Sequence, residues 1–148
     1  MYEHILVAVD GSELAHKGLE HGLVLAKALD ADITVLTVSE PMHPDSVRAA
    51  RLAGLDNIVI DYNRQLESLA KERFEVVEGR ARDHGIEVNV VHKIDESPAE
   101  TIVRLAKARD CDLIVMSSHG RRGIQKILLG SQTSEVLVKA SVPVLVIR

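Results

Sequence analysis

Short apolar runs, rich in β-branched residues, alternate along this chain with longer segments of helical periodicity. The runs occupy residues 4–9, 33–38, 86–91, 113–116 and 142–147. Such runs are typical of buried parallel strands, and parallel strands need a long, usually helical, crossover between them. The alternation therefore predicts an α/β fold: a doubly wound sheet of five parallel strands, with right-handed crossovers and helices on both faces.

The segments between these runs carry recognisable helix ends. The first follows Asp10-Gly11-Ser12 and ends near Asp30. Either Asp10 or Ser12 can cap it, and Asp10 together with Glu13 resembles a capping box. Residues 42–54 lack a sustained period, so we expect an irregular connection with a helical turn around residues 46–52.

A long helical pattern extends from about Asp56 to His84, and Gly85 occupies the position of a C′ glycine. Its predicted buried side consists of Ile60, Leu66, Leu69, Ala70, Phe74, Val77 and Ala81. Ser97-Pro98-Ala99-Glu100 predicts the start of a helix that ends near Arg109, with Ser97 as N-cap and Glu100 at N3. A short helix is predicted over residues 131–140.

Length and composition limit the function classes. At 148 residues and 46% hydrophobic, the chain fits one domain, residues 1–148. Only two tyrosines and one phenylalanine occur and the net charge is −4, which disfavours nucleic-acid binding. The lone Cys111 excludes an intramolecular disulfide and is interpreted as a packing residue. Without a signal peptide or long apolar span, the chain is expected to be cytoplasmic and not inserted in a membrane.

A loop rich in small and basic residues follows the fourth predicted strand. These residues are Ser117, Ser118, Gly120, Arg121, Arg122, Gly123 and Lys126. The loop ends at Gly130-Ser131, and no acidic residue occurs between Asp112 and Glu135. An ordinary solvated basic loop would have the same charge. Because glycine lets backbone N–H groups approach a ligand and a helix N-terminus attracts anions, the loop is expected to bind a phosphate.

The spacing within this loop resembles a motif of the universal stress proteins. Nucleotide-binding members carry Gly-x2-Gly-x9-Gly-Ser/Thr, in which the loop and the start of the next helix hold phosphates. Here Gly120 and Gly130-Ser131 match the later positions, and Ser117 stands where the first glycine is expected. The resemblance covers the whole chain, and it implies a Rossmann-like fold of the adenine nucleotide alpha hydrolase-like class with strand order 3-2-1-4-5.

That strand order makes the first and fourth strands neighbours where the winding reverses, which is where doubly wound sheets bind ligands. The resemblance implies that ATP, ADP or AMP binds there, with Mg²⁺ as a candidate ion held through the phosphates and not by protein side chains. The residues expected at the nucleotide are Ala8, Val9, Asp10, Val38, Met116, Ser117, His119, Gly120, Arg121, Gly130, Ser131, Gln132 and Thr133.

The last predicted strand is almost wholly apolar and, in this order, lies at a sheet edge. Unpaired edges invite a second chain, so a homodimer through Val142 to Arg148 is expected, as is usual in the family. In the alternative, Pro143 and Arg148 protect a short edge and the chain does not pair.

Three functions from different classes are compatible with these features. The first is a nucleotide-dependent regulator or sensor in a stress response, with an unidentified protein partner. The second is a slow ATPase, which is disfavoured because the loop contains no carboxylate to act as a general base and no residue is assigned a catalytic role. The third is a dimeric interaction protein with a vestigial pocket, which the replacement of the first motif glycine by Ser117 would allow.

Overall fold

The computed structural model describes residues 1–120 and 129–148, and within them helices and strands alternate as predicted. The elements, in chain order, are β1 (His4–Ala8), α1 (Glu13–Leu29), β2 (Asp32–Ser39), α2 (Pro44–Leu52), α3 (Ile58–His84), β3 (Asn89–Ile94), α4 (Pro98–Ala108), β4 (Leu113–Ser117), α5 (Ser131–Lys139) and β5 (Val144–Ile147). The strands form one five-stranded sheet. The predicted α/β class is confirmed.

The strand order is β3-β2-β1-β4-β5, and all four neighbouring pairs are parallel. β1 lies at the centre, with Val7 opposite Val35 of β2 on one side and Val115 of β4 on the other. The winding reverses between β1 and β4, so the predicted strand order is confirmed. β3 and β5 form the two edges of the sheet.

Helices cover both faces of the sheet. On one face Ile5 and Val7 pack with Leu19 and Leu23 of α1 and with α3. On the other face Leu6 packs with α4 and α5. The three β1 side chains are fully buried, and each burial stabilises the fold by about 1.5–3 kcal/mol. This central strand fixes the position of the residues that follow it.

Ser12, not Asp10, caps the first helix. The Ser12 Oγ accepts a hydrogen bond from Ala15 N at 3.1 Å, while Asp10 Oδ1 accepts one from Ser12 N at 2.9 Å. The predicted capping box of Asp10 and Glu13 is therefore wrong, because Asp10 lies one turn before the helix. The alternative, a Ser12 cap, is confirmed.

The region between β2 and β3 is more helical than predicted. Residues 44–52 form a complete helix, whose N-cap His43 accepts a hydrogen bond from Asp45 N through Nδ1. α3 begins at Ile58 and ends at Gly85, which has φ 72° as predicted for a C-terminal glycine.

Two residues of the predicted buried side of α3 are exposed. Ile60 is 56% exposed and Leu69 is 50% exposed, whereas Ala70, Val77 and Ala81 are buried as predicted. The 27-residue helix is about 40 Å long. The six-residue β3 is about 20 Å long, so the N-terminal part of α3 extends past the strand.

Strand boundaries also differ from the predictions. β3 begins at Asn89 instead of residue 86, because Ile86 N donates to Ala81 O and so closes the end of α3. β5 begins at Val144 instead of residue 142. Pro143 before it still accepts a hydrogen bond from Ile114 N through its carbonyl.

Cys111 is buried at the entrance to β4, as the packing interpretation predicts. Burial, with a contribution from the neighbouring Asp112 carboxylate, raises the pKa of the thiol to about 11. No helix within residues 1–120 or 129–148 is both long and apolar enough to cross a membrane.

An ion-pair cluster joins α1 to α3. Glu20 Oε1 lies 2.6 Å from Arg80 Nη1, and its Oε2 lies 2.9 Å from His84 Nε2. These hydrogen bonds, chiefly that from Arg80, lower the pKa of the Glu20 carboxyl below its ordinary value of 4.5. Because the folded-state pKa is lowered, the stabilisation is present above that value and is lost as pH falls through the folded pKa.

Replacing Glu20 by glutamine is expected to lower the free energy of unfolding at pH 7 by about 0.5 kcal/mol, as for other partly exposed ion pairs. The difference between the two proteins should disappear once the pH falls well below 4.5, where the carboxyl of Glu20 is protonated in the wild type as well. Urea denaturation at both pH values measures this. A difference that persists in acid would mean that the ion pairs are not its cause.

Candidate functional site

The carboxyl ends of β1 and β4 bring two predicted site residues into contact. Asp10 follows β1, and Gly120 lies three residues after the end of β4. A Cβ atom added to Gly120 would lie 2.5 Å from Asp10 Oδ2. Only glycine allows the backbone to come this close to the carboxylate, so the crevice has a backbone wall opposite Asp10.

The start of α1 orients the Asp10 carboxylate. Its Oδ1 accepts the hydrogen bond from Ser12 N, and the other oxygen faces Gly120. The side chain is half-buried. A carboxylate has about four acceptor positions, so the Asp10 carboxylate can accept a hydrogen bond from a ligand in addition to the one from Ser12 N.

The predicted phosphate loop is closed at its base by hydrogen bonds. Ser118 N donates to Ile147 O of β5 at 2.8 Å, and Gly130 N donates to Ser118 O at 2.7 Å. The Thr133 Oγ1 donates to Ser117 O at 2.9 Å and lies 3.2 Å from Ser118 O. These hydrogen bonds therefore join the end of β4 directly to the start of α5.

Gly130 is the N-cap of α5, with φ −60° and ψ 154°. An added Cβ would lie 3.3 Å from both Ser118 O and His119 Cα, which is tighter than most real contacts. Glycine is thus required here by close packing and not by a positive φ. No side-chain hydrogen bond from the N-cap closes this helix start, and Ser131 is exposed. The first turn of α5 can therefore present its N–H donors to an anion.

The residues expected near adenine lie on different faces of the sheet. Ala8, Val38 and Met116 pack on the face covered by α4 and α5, whereas Val9 is buried on the opposite face. Both main-chain groups of Val9 are paired, its N–H with Leu36 O and its carbonyl with the Thr37 hydroxyl. Val9 therefore acts by fixing the end of β1.

The side chains of Ser117 and His119 shape the turn after β4. Ser117 is buried at the end of the strand, and its Oγ donates to His119 O at 3.0 Å. The His119 Nδ1 is hydrogen-bonded with Ser118 Oγ at 3.1 Å. These bonds hold the backbone that leads into Gly120.

The side chain of Gln132 contacts the start of α4. Its Oε1 accepts a hydrogen bond from Ala99 N at 2.9 Å, so it caps the start of α4 from a neighbouring helix. The predicted start of α4 is confirmed, with Ser97 as N-cap and Pro98 as the first residue of the helix. The Ser97 side chain makes no capping hydrogen bond, and Glu100 pairs with Lys139 at 2.7 Å.

The structure thus brings Asp10, Gly120 and the Gly130-Ser131 helix start to one end of the sheet. Arg121 lies outside the described residues. Within the described parts of the chain, no group of three or more His, Cys, Asp or Glu side chains could hold a metal ion.

Sequence reasoning missed three residues that build this site. Ser118 joins β4, β5 and α5 through its backbone, Ser12 orients Asp10, and Thr37 anchors Val9. Ser12 carried a signal as a possible N-cap. No sequence pattern indicates the backbone role of Ser118, because any residue has the same N–H and C=O groups.

Thr133 is 2% exposed, and its hydroxyl is the link between α5 and the end of β4. Replacing Thr133 by valine keeps the shape but removes that donor, so the free energy of unfolding should fall by about 1–3 kcal/mol. Urea denaturation measures this. Serine at the same position retains the hydroxyl and serves as the control. Equal stability of the valine variant and the wild type would contradict a structural role for the bond.

The model of the universal stress protein family matches residues 1–148. The universal stress protein MJ0577 of Methanocaldococcus jannaschii is 31% identical over 162 residues, which cover 100% of this chain and 96% of that protein. A solved structure of MJ0577 superposes with a TM-score of 0.81 at 29% identity, over 99% of this chain and 96% of that one.

Two more distant structures share the fold and contain ligands. A universal stress protein from Archaeoglobus fulgidus was solved in complex with dAMP; it has a TM-score of 0.68 and 22% identity, over 99% of this chain and 98% of that one. Another universal stress protein was solved in complex with cAMP. It has a TM-score of 0.67 and 22% identity, over 99% of this chain and 97% of that one. Both ligands are adenine nucleotides.

Proposed function

Because the chain belongs to the universal stress protein family, we propose that it binds an adenine nucleotide between Asp10 and the start of α5 and acts as a nucleotide-dependent regulator. One observation carries this proposal. Gly120 and Gly130, the two glycines that match the family motif, are both positions where an added Cβ atom would be too close to its neighbours: to Asp10 Oδ2 at Gly120, and to the backbone of Ser118 and His119 at Gly130. The glycine spacing therefore has a geometric reason at this place.

The start of α5 is the proposed phosphate site. The N–H groups of Ser131 and its neighbours lie at a helix end with partial positive charge, and the N-cap Gly130 has no side chain that could occupy these donors. The preceding loop contains no acidic residue that would repel a phosphate. Arg121 stays a predicted contact on the basis of the sequence alone.

Asp10 is the proposed partner of the nucleoside. Its carboxylate can accept a hydrogen bond from the amino group of adenine or from a ribose hydroxyl. Ala8, Val38 and Met116 supply apolar surface on the face of the sheet next to it. The dAMP and cAMP complexes of proteins with this fold support an adenine ligand. Any Mg²⁺ would be held through the phosphate oxygens.

We also propose that two copies pair through β5. This strand lies at the edge of the sheet, and Val144, Leu145 and Val146 are only half-buried. The helix before it exposes Val138 to 84% and Leu137 to 41%. A second β5 would satisfy the edge N–H and C=O groups and cover this apolar surface. Location in the cytoplasm and the identity of a protein partner stay predictions.

Calorimetric titration of nucleotide-free protein with ATP, AMP and GTP tests the proposal. We expect ATP or AMP to bind about tenfold or more tightly than GTP, because guanine would present its O6 acceptor where adenine presents an amino group to Asp10. Replacing Asp10 by alanine should reduce that preference. Absence of binding by all three would contradict the proposal and favour a dimeric interaction protein with a vestigial pocket.

A further inference from the structure

An open groove of about 510 Å³ lies between α3 and β3, at the edge of the sheet remote from β5. We refer to it as the α3–β3 groove. β3 pairs with β2 on one side, and no strand among the described residues pairs with its other side. Such an edge presents N–H and C=O groups that can pair with an added strand.

The base of the groove is apolar. Ala70 and Phe74 of α3 and Val90 of β3 line it, and Phe74 is the only phenylalanine in the chain. Phe74 and Val90 are half-buried, so part of each side chain remains accessible. An extended segment that pairs with β3 would direct every second side chain onto this surface, because side chains alternate along a strand.

The sides of the groove are acidic. Glu67, Glu75 and Glu78 line it, against the single cation of Lys71. None of the three glutamates makes a hydrogen bond or an ion pair with another residue in the described part of the chain.

A histidine at one end of the groove does not offset this negative charge. His92 Nε2 is hydrogen-bonded with Ser39 Oγ at 2.9 Å. Burial lowers the pKa of His92, which keeps the ring neutral at pH 7. Arg73 of α3 lies near His92 and adds a second cation on this side, so the three glutamates outnumber the cations by one. The opposite face of the same strand carries the exposed Lys93.

We propose that the α3–β3 groove binds an extended basic segment of a partner protein, which adds to β3 as a sixth strand. Because side chains alternate, the residues of the segment that face α3 would have to supply both contacts: an apolar side chain over Phe74 and Val90, and Lys or Arg side chains beside Glu67, Glu75 and Glu78. Strand addition of this kind takes its affinity from main-chain hydrogen bonds and its specificity from the groove. The net charge of −4 disfavours the approach of a second copy of this chain to the acidic groove.

The probe is the acetylated, amidated hexapeptide Lys-Ser-Val-Ser-Lys-Ser, in which every second side chain, two lysines and one valine, can face the groove; this lysine–valine peptide is added to ¹⁵N-labelled protein. We expect saturable amide shifts at Val90 and His92, which weaken as salt is raised. The same peptide with every residue N-methylated keeps its charges but has no main-chain N–H group to donate to β3, and it should not bind. Equal binding of the methylated peptide would overturn strand addition.

Variants of the protein test the charge requirement. Replacing Glu67 and Glu75 by glutamine should weaken binding of the lysine–valine peptide about tenfold. The matched control replaces Glu72 and Glu96, which are exposed and do not line the groove, and should bind as the wild type does. Equal affinity in both variants would overturn the proposal.

This proposal does not depend on nucleotide binding. The groove lies at the β3 edge, whereas the candidate nucleotide crevice lies between β1 and β4. Saturating ATP should therefore leave peptide binding unchanged, and a protein that fails to bind ATP should still bind the peptide. Displacement of the peptide by ATP would mean that the peptide occupies the crevice, and that result would overturn the assignment to the groove.

Discussion

Replacing Gly130 by valine is expected to lower the affinity for ATP by about a hundredfold or more. A Cβ atom there would already lie 3.3 Å from Ser118 O and His119 Cα, and the branched methyl groups of valine extend further. The start of α5 would be pushed away from Ser118 and its N–H donors would be covered. Losing two charge-assisted hydrogen bonds to phosphate, each worth about 1.5 kcal/mol, gives a change of this size. Calorimetry measures it.

The control for this variant is valine at Gly79. This glycine lies in α3, where an added Cβ has Arg82 Nη2 as its nearest neighbour at 3.8 Å, so there is room for a side chain. Valine at Gly79 should leave ATP binding unchanged. Circular dichroism establishes that both variants are folded. Wild-type affinity in the Gly130 variant would mean that the phosphates bind elsewhere.

Replacing both Val144 and Val146 by lysine is expected to convert the proposed dimer into monomers. In the proposed dimer these residues lie in the strand that pairs with its copy, so the lysines would bring four like charges to one interface. The dissociation constant should rise by about a hundredfold or more, since burying these unpaired charges costs several kcal/mol. Light scattering after gel filtration measures the mass.

Lysine at Val144 also disturbs the core, because this residue packs partly against the cluster under α4 and α5. Lysine at Val91 is the matched control. Val91 is half-buried against the same cluster but belongs to the opposite edge of the sheet. That variant should lose stability and remain dimeric. A dimer that persists in the Val144 and Val146 variant places the interface on another surface.

Most of the fold could be predicted because its signals are local. β-branched runs separated by helical periods indicate the strands, and Gly85 and Ser12 mark helix ends through their own backbone or side chain. The boundaries were less predictable. Ile86 and Val88 have the composition of a strand, yet Ile86 closes the end of α3, so β3 begins three residues later than expected.

The candidate site was predictable where it depends on glycine and not where it depends on contacts across the fold. The close approach of Gly120 to Asp10 follows from the motif spacing once the strand order is known. The bond from Ala99 N to Gln132 joins residues 33 positions apart, and no local pattern indicates it. The resemblance counted Gln132 among the expected nucleotide contacts, whereas its side chain is engaged with α4.

The most direct test of the proposed crevice is a titration of ¹⁵N-labelled protein with ATP, followed through its amide resonances. The largest saturable shifts are expected at Asp10, Gly120 and Ser131, whereas Val90 and His92 in the α3–β3 groove should remain unchanged. Saturable shifts confined to the groove, with Asp10 and Ser131 unaffected, would contradict the proposed nucleotide site.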